Sequence, residues 1–297
     1  MVSRGMRNLK PRRLWQKHES EARLDLNVRG GNLFAVSALE GGNLRKPASG
    51  TRKSISFLFG GLLTCLVGGV AAQPLPDAKT YAANPALLID AYRHVEVASV
   101  SDALEQLYGK RSFMSHRIHA ISDGKMAGFA VTVQMDKQEG SAPSAVTPMQ
   151  AAIDTAAAGS VYVMAVADGD DIAGIGGLMA TAMSARGFSG AVIDGGVRDV
   201  AYLRKIAFPV YATGIVPSTS VGHYRATQGV PVTCGGIRIT PGDVVVADAD
   251  GVVTVPKDIA AAVLVKAQAL DQTEHSMYGY IEKLRSLEEA VQRFGRL

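Results

Sequence analysis

From residue 160 to residue 212, short apolar runs alternate with segments of helical character, and this alternation constrains the fold more than any other feature. Ser160–Ala167 (SVYVMAVA) reads as a strand. Leu178–Ala185 reads as a helix closed by Gly187, Gly190–Ile193 as a strand, Asp199–Ile206 as a helix and Pro209–Ala212 as a strand. Strands separated by a helix cannot form hairpins. They pair in parallel through right-handed crossovers, so an α/β fold is expected.

The flanks fit one such domain. Asn84–Glu96 reads as a helix with Pro85 in its first turn, where proline is tolerated. Ser99–Leu107 reads as a second helix and Met126–Met135 as a strand. Thr147-Pro148 reads as the cap and first position of a helix running to about Ala158. Ile237–Ile239, Val244–Ala247 and Val252–Val255 read as strands separated by Pro241-Gly242 and Asp250-Gly251 turns, and the chain from Pro256 reads as helical. No internal repeat is visible, so residues 73–297 are expected to form one α/β domain with C-terminal helices.

Residues 1–72 read differently. They hold 12 Lys/Arg against 4 Asp/Glu, whereas residues 73–297 hold 19 against 23, so the overall net charge of +4 hides a basic leader of +8 and a mildly acidic domain of −4. Arg52-Lys53 precedes an apolar run at 55–70 that is broken by glycines, and Val70-Ala71-Ala72 precedes Gln73-Pro74. This is the layout of a signal peptide with a cut after Ala72, and the run is shorter than the ~20 residues a spanning helix needs. The expectation is an exported protein, periplasmic or secreted, with no stable membrane span in its mature form. Without a working signal it would be cytoplasmic. The long lead before Arg52 suggests a start codon assigned too early.

Composition excludes several classes. With 47% hydrophobic and 20% charged residues the chain is not disordered. Two cysteines make neither a disulfide scaffold nor a Cys-rich zinc site. The acidic domain has no clustered basic and aromatic patch for nucleic acid.

The chemistry concentrates in 173–200, AGIGGLMATAMSARGFSGAVIDGGVRDV. Gly174, Gly176 and Gly177 lie between a strand and the helix that starts at Leu178. Glycine lets backbone approach an anion, and the free N–H groups and dipole of a helix start favour negative charge. Arg198-Asp199 follows the next strand, and adjacent parallel strands end side by side, so both features face one crevice. Arginine offers a planar fork to a carboxylate, and aspartate offers hard oxygen to Mg²⁺ or Mn²⁺. A tight glycine turn and a solvated helix start capped by Asp199 account for the same letters. A dinucleotide site fits poorly, because Met179 stands where the third glycine is needed.

Several separated segments together resemble one family. They are Ser101-Asp102-Ala103-Leu104, AGFAVTV (127–133), GGLMATAMSARGFSGAVIDGGVRD (176–199), PVTCGG (231–236) and TPGDVVVADADGVVTVP (240–256). In that order they resemble the RraA-like family, which includes class II 4-hydroxy-4-methyl-2-oxoglutarate aldolases and a regulator of ribonuclease activity. The resemblance runs from about Val100 to Ala290. It implies a swivelling β/β/α domain (an αββα sandwich) assembled as a homotrimer or hexamer with sites at subunit interfaces.

The activity implied is divalent-metal-dependent lysis of a small 2-oxo acid. This means retro-aldol cleavage of a 4-hydroxy-2-oxo acid, oxaloacetate decarboxylation, or both, yielding pyruvate. Arg198 and Asp199 would be the catalytic residues, with Asp199 on Mg²⁺ or Mn²⁺. Gly176, Gly177, Leu178, Met179 and Arg198 would bind substrate, the carboxylate resting on the amides of Leu178 and Met179. Glu274 is matched to a glutamate that reaches a neighbouring subunit's site. The alternative is a non-catalytic regulatory or binding protein. One departure stands out. The aldolases carry an acidic residue twenty-one positions before the arginine, and here that position is Gly177. Its loss removes a carboxylate that would hold metal waters or relay a proton. Asp168, Asp170 and Asp171 lie just upstream as candidate substitutes.

Overall fold

The computed structural model describes residues 75–138 and 145–295. The basic leader, the apolar run at 55–70 and the expected cut after Ala72 lie outside the described residues. Three helices come first. In α1 (Ala78–Ala83) the Asp77 carboxylate accepts from Thr80 N at 2.8 Å. In α2 (Pro85–Tyr92) Asn84 Oδ1 accepts from Leu87 N at 3.1 Å, and Pro85 sits in the first turn as expected. This helix stops at Tyr92 rather than Glu96, because Glu96 is already the N-cap of α3 (Val97–Tyr108).

Strands β1 (His119–Ser122) and β2 (Met126–Lys137) lead to α4 (Val146–Asp154). That helix begins at Val146, with Ala145 and not Thr147 as N-cap, and ends at Asp154 rather than Ala158. Pro148 falls at its third position, where the backbone N–H still has no intrahelical acceptor to lose. The alternating segment then appears as expected, with additions. It comprises β3 (Val161–Val166), β4 (Ala173–Ile175), α5 (Gly177–Ala185), β5 (Gly190–Val197), α6 (Val200–Lys205) and β6 (Val210–Ile215). Strands β7 (Tyr224–Gln228), β8 (Val232–Cys234), β9 (Ile237–Ile239), β10 (Val244–Asp248) and β11 (Gly251–Val255) follow, then α7 (Ala260–Leu284) and α8 (Leu287–Phe294).

The main sheet runs β1-β6-β5-β3-β2-β10-β11, with β4 beside β5 and β7 beside β2. The pairs β2/β3, β3/β5, β4/β5 and β5/β6 are parallel, as the alternation required. Long β2 joins two halves: Met126–Phe129 pair antiparallel with β10, and Ala130–Met135 pair parallel with β3. The sheet is nearly closed. The buried Tyr211 hydroxyl of β6 lies 3.0 Å from Gly124 O and 2.9 Å from Asp248 O at the end of β10. Burial and the nearby Asp248 and Asp123 push this phenol up to about 12, so it remains a donor.

Side-chain alternation sorts the core into three regions. Along β3, Tyr162 and Met164 face outward against α4, α5 and α6, while Val161, Val163 and Ala165 face the interior of the curved sheet. All six β3 residues are buried, as befits a strand covered on both faces. Along β10, Val245 and Ala247 join the interior, and Val244 and Val246 pack under α2, α3 and α7. Helices therefore cover the curved sheet on two sides, and the β8–β9 hairpin contributes Val232, Cys234 and Ile239 to its interior. Among the described residues, no helix is long and apolar enough to cross a membrane.

Candidate active site

Parallel strands β4 and β5 end side by side and deliver the two sequence features to one place. Ala173 pairs with Gly196 and Ile175 with Val197, and Arg198 N donates to Ile175 O at 3.1 Å. The turn into α5 therefore lies against Arg198-Asp199. A Cβ on Gly176 would stand 2.6 Å from Asp199 Oδ2 and 2.9 Å from Arg198 Cγ, so only glycine lets these groups meet.

Asp199 is the N-cap residue of α6, but its side chain caps the other helix. Its backbone is left-handed at φ 59, a conformation aspartate tolerates better than most residues. The carboxylate turns away from α6, and Oδ2 accepts from Gly177 N, the first amide of α5, at 2.8 Å. The first intrahelical bond of α5 is Ala180 N to Gly176 O. The second and third amides, Leu178 and Met179, precede it and are the donors a helix start offers to an anion. Both residues line the same cavity as Arg198 and Asp199.

Arg198 is held in place from the far side. Nη1 donates to Ser218 O at 3.2 Å, and Nε lies 3.9 Å from Asp199 Oδ2. Ser218 is pinned in turn, since its Oγ donates to Asp171 O and accepts from Ala173 N. With side-chain exposures of 43% and 51%, Arg198 and Asp199 remain open to a ligand.

The cavity measures about 410 Å³, within the ~300–1,000 Å³ common for small-molecule sites. Its floor is the 173–179 turn with Arg198 and Asp199. Its far wall is α4, through Val146, Met149, Gln150, Ile153 and Asp154, and its rim is Thr219–Val221. The far wall and rim were not foreseen in the sequence. Of the residues singled out there, Gly174, Gly176, Gly177, Leu178, Met179, Arg198 and Asp199 come together here.

Others do not. Asp168 pairs with Lys137 at 3.0 Å and Asp170 with Arg117 at 2.7 Å. Neither they nor Asp171 line the cavity, so the expectation that they replace the missing carboxylate is corrected. Among the described residues, Asp154 is the other carboxylate in the lining besides Asp199. Glu274 lies on α7, where its Oε1 accepts from Tyr278 OH at 2.6 Å, away from this cavity. Cys234 is fully buried and its thiol is pushed up by burial, which suits packing and not nucleophilic attack.

Among the described residues, no group of three or more His, Cys, Asp or Glu could hold a metal ion. Asp199 offers one carboxylate with Oδ2 already engaged by Gly177 N. That is not a protein cage. It does fit Mg²⁺, which keeps several waters and commonly binds one or two carboxylates plus substrate oxygens.

A family model described as RraA-like, Aldolase/RraA, matches residues 97–254. The chain belongs to the RraA-like family. The matched stretch runs from α3 to β11 and contains both the curved sheet and the Arg198-Asp199 site. The chain is 29% identical over 209 residues to a protein of Halalkalibacterium halodurans named "Putative 4-hydroxy-4-methyl-2-oxoglutarate aldolase", covering 66% of this chain and 94% of that one. Among solved structures, an uncharacterized protein from Pseudomonas syringae pv. tomato superposes with a TM-score of 0.62 at 30% identity, covering 73% of this chain and 99% of that one. RraAS2 of Streptomyces coelicolor, described as an unusual member of the RNase ES inhibitor RraA family, gives 0.58 at 28% identity, covering 68% and 98%. The RraA-like α/β fold expected from the motifs is thus the fold observed.

Proposed function

We propose that the chain is a lyase acting on a small 2-oxo acid, cleaving a 4-hydroxy-2-oxo acid such as 4-hydroxy-4-methyl-2-oxoglutarate, decarboxylating oxaloacetate, or both, to yield pyruvate. The observation that carries this reading is the convergence of Arg198, Asp199 and the first-turn amides of α5 on one cavity. The guanidinium and the amides of Leu178 and Met179 take the substrate carboxylate, and the Ser218 carbonyl holds Arg198 for that contact. Fixing this end places the C2 carbonyl beside Asp199 and orients the bond to be broken. Asp199 would hold a divalent cation, Mg²⁺ or Mn²⁺, which when bound would supply Lewis acidity at the 2-oxo end of the substrate.

Assembly as a trimer or hexamer belongs to the same proposal, with Glu274 contributing to a neighbouring subunit's site. Leu178, Tyr202, Ile215 and Val221 are large apolar residues left exposed in the single chain. Leu178 and Val221 line the cavity, Tyr202 lies against Gly177, and Ile215 pairs with Val197 beside Arg198. Export after cleavage at Ala72 is a further part, checked by sequencing the N-terminus of the native protein. A second reading, a non-catalytic binding protein, draws on Gly177 in place of the aldolase carboxylate.

The test is pyruvate release by the full chain from a panel of 4-hydroxy-2-oxo acids and oxaloacetate, with Mg²⁺ or Mn²⁺ and then with EDTA. The lyase reading expects EDTA-sensitive turnover that falls at least about 100-fold in Asp199→Ala, the scale of losing a main electrostatic contact. Turnover unchanged in Asp199→Ala, or no turnover across the panel, refutes it.

A further inference from the structure

One more side chain joins the start of α6 to the first turn of α5. Tyr202, in the first turn of α6, lays its ring along the flank of α5. A Cβ built on Gly177 would stand 3.2 Å from Tyr202 Cδ1 and 3.5 Å from Asp199 Cβ, so ring and aspartate sit side by side on the same bare residue. The Tyr202 hydroxyl reaches one turn further along α5 and lies 3.3 Å from Thr181 Oγ1. Thr181 gives its own proton to Gly177 O at 2.7 Å. A hydroxyl has one proton to give, so the phenol is the donor between them. Gly177 is thereby held at three points, its N–H by Asp199, its carbonyl by Thr181 and its α-carbon by the ring.

Asp199 needs such support. Its backbone is left-handed, a conformation that costs any residue with a side chain. Its carboxylate is half exposed, so other staggered side-chain positions compete with the one that meets Gly177 N. Helix α6 has six residues and is too short to hold its shape alone. Val200 and Leu203 fasten it to the core, and Tyr202 fastens it to α5. The link back to the aspartate is direct, because Tyr202 N donates to Asp199 O at 2.9 Å. All of these contacts lie within one chain and hold without a second copy. The ring is still 41% exposed, which leaves its outer side for a neighbouring subunit.

We propose that Tyr202 is a positioning residue: its ring and hydroxyl clamp α6 to α5 and so keep the Asp199 carboxylate on the Gly177 amide, at the cavity floor beside Arg198. Tyr202 does not line the cavity and acts through Asp199. Its bearing on turnover rests on the lyase reading, whereas the clamp itself does not.

The clamp is read in the free full-length protein by NMR hydrogen exchange of the Gly177 amide, with the Ala180 amide inside α5 as the reference. In Tyr202→Ala, Gly177 should exchange at least about tenfold faster while Ala180 is unchanged, because the bond to Asp199 alone is loosened. Tyr202→Phe retains the ring and should keep most of the protection. Pyruvate release from the 2-oxo acid panel with Mg²⁺ should fall at least about tenfold in Tyr202→Ala and less than about threefold in Tyr202→Phe, as expected when a reacting group is misplaced by a fraction of an ångström. Should Tyr202→Ala fail to fold, Tyr202→Leu, which fills the space without a flat ring or hydroxyl, carries the same expectations. Unchanged exchange at Gly177 overturns the clamp. So does equal acceleration of Gly177 and Ala180, which marks loss of α5 and not of the aspartate contact. Faster exchange with undiminished release overturns the positioning role, since Asp199 then works without its clamp. Faster exchange at Gly177 alone, with no release even by wild type, upholds the clamp and refutes the lyase reading. Release by wild type with unchanged exchange refutes the clamp and leaves the lyase reading in place.

Discussion

Restoring a carboxylate at position 177 tests the metal half of the site directly. A Cβ there stands 3.2 Å from Tyr202 Cδ1 and 3.5 Å from Asp199 Oδ2, so Gly177→Asp fits if the Tyr202 ring yields by a few tenths of an ångström. Gly177 is not among the positive-φ residues, so a side chain adds no backbone strain. The new carboxylate would lie roughly 4–5 Å from that of Asp199. Such a pair repels by about 1 kcal/mol in water and about 3–4 kcal/mol at an effective dielectric of 20. Half exposure of Asp199 points to the low end, about 1–2 kcal/mol. Two effects oppose this. An acid at a helix start contributes about 0.3–1 kcal/mol, and replacing glycine contributes about 0.4–1 kcal/mol through the unfolded chain. Without metal the melting temperature should therefore move by only a few degrees. With metal the pair becomes a chelate. Mg²⁺ at about 100 times its Kd contributes about 2.7 kcal/mol, or roughly 5–10 °C at about 2–4 °C per kcal/mol. The assay is thermal unfolding of wild type, Gly177→Asp and the uncharged Gly177→Asn, each with Mg²⁺ and with EDTA. The variant with the acid alone should show the large Mg²⁺ shift, together with at least tenfold faster pyruvate release. Equal Mg²⁺ shifts in all three proteins would refute the placement of the metal between these positions.

Gly176→Ala should do the opposite, because its Cβ displaces Arg198 and Asp199 themselves; binding of 2-oxo acids should fall at least tenfold in calorimetry while global stability changes by about 1 kcal/mol or less, the displaced groups being flexible side chains. Tyr211→Phe removes the hydroxyl beside Gly124 O and Asp248 O and should cost about 0.5–1.5 kcal/mol in urea unfolding, without altering 2-oxo acid binding. His275 is raised first by the Asp271 backbone carbonyl near its ring and then by the Asp271 charge, so it contributes stability below its unfolded pKa of about 6.5 that is lost as pH rises through the folded value. In Asp271→Asn the carbonyl remains and the charge is gone, so an NMR titration should show the His275 midpoint fall part of the way toward the unfolded value.

The strand–helix alternation was legible because its signals are local. The β3 run is apolar throughout, since both faces are covered, and Gly187 with φ 77 marks the end of α5 where it was expected. The failures have a different origin. Strand β5 was read as ending at Ile193, yet it continues through Asp194-Gly195-Gly196 to Val197. Those glycines look like a loop in sequence. In the fold they sit where neighbouring chain presses on the strand: a Cβ at Gly196 would stand 2.3 Å from Val216 Cγ2. Strand β4 is three residues long and β7 carries Arg, Thr and Gln on a largely exposed edge, so neither had enough apolar pattern to be seen.

The site divides along the same line. Arg198-Asp199 and the glycines lie within one βαβ unit, where the rule that parallel strands end together makes a crevice predictable. The α4 wall and the Thr219–Val221 rim come from elsewhere in the chain, and only the packed fold sets them opposite Arg198. Gln150 and Asp154 sit four apart on one face of a helix that was itself foreseen, and that spacing was the available signal. Asp199 shows why local rules were insufficient even inside the unit. Sequence offered two readings, a helix cap or a ligand, as if they excluded each other. The left-handed turn at Asp199 lets one carboxylate oxygen cap α5, the neighbouring helix, and so fixes the carboxylate at the cavity floor beside Arg198. The capping bond thus positions the group on which the proposed chemistry depends.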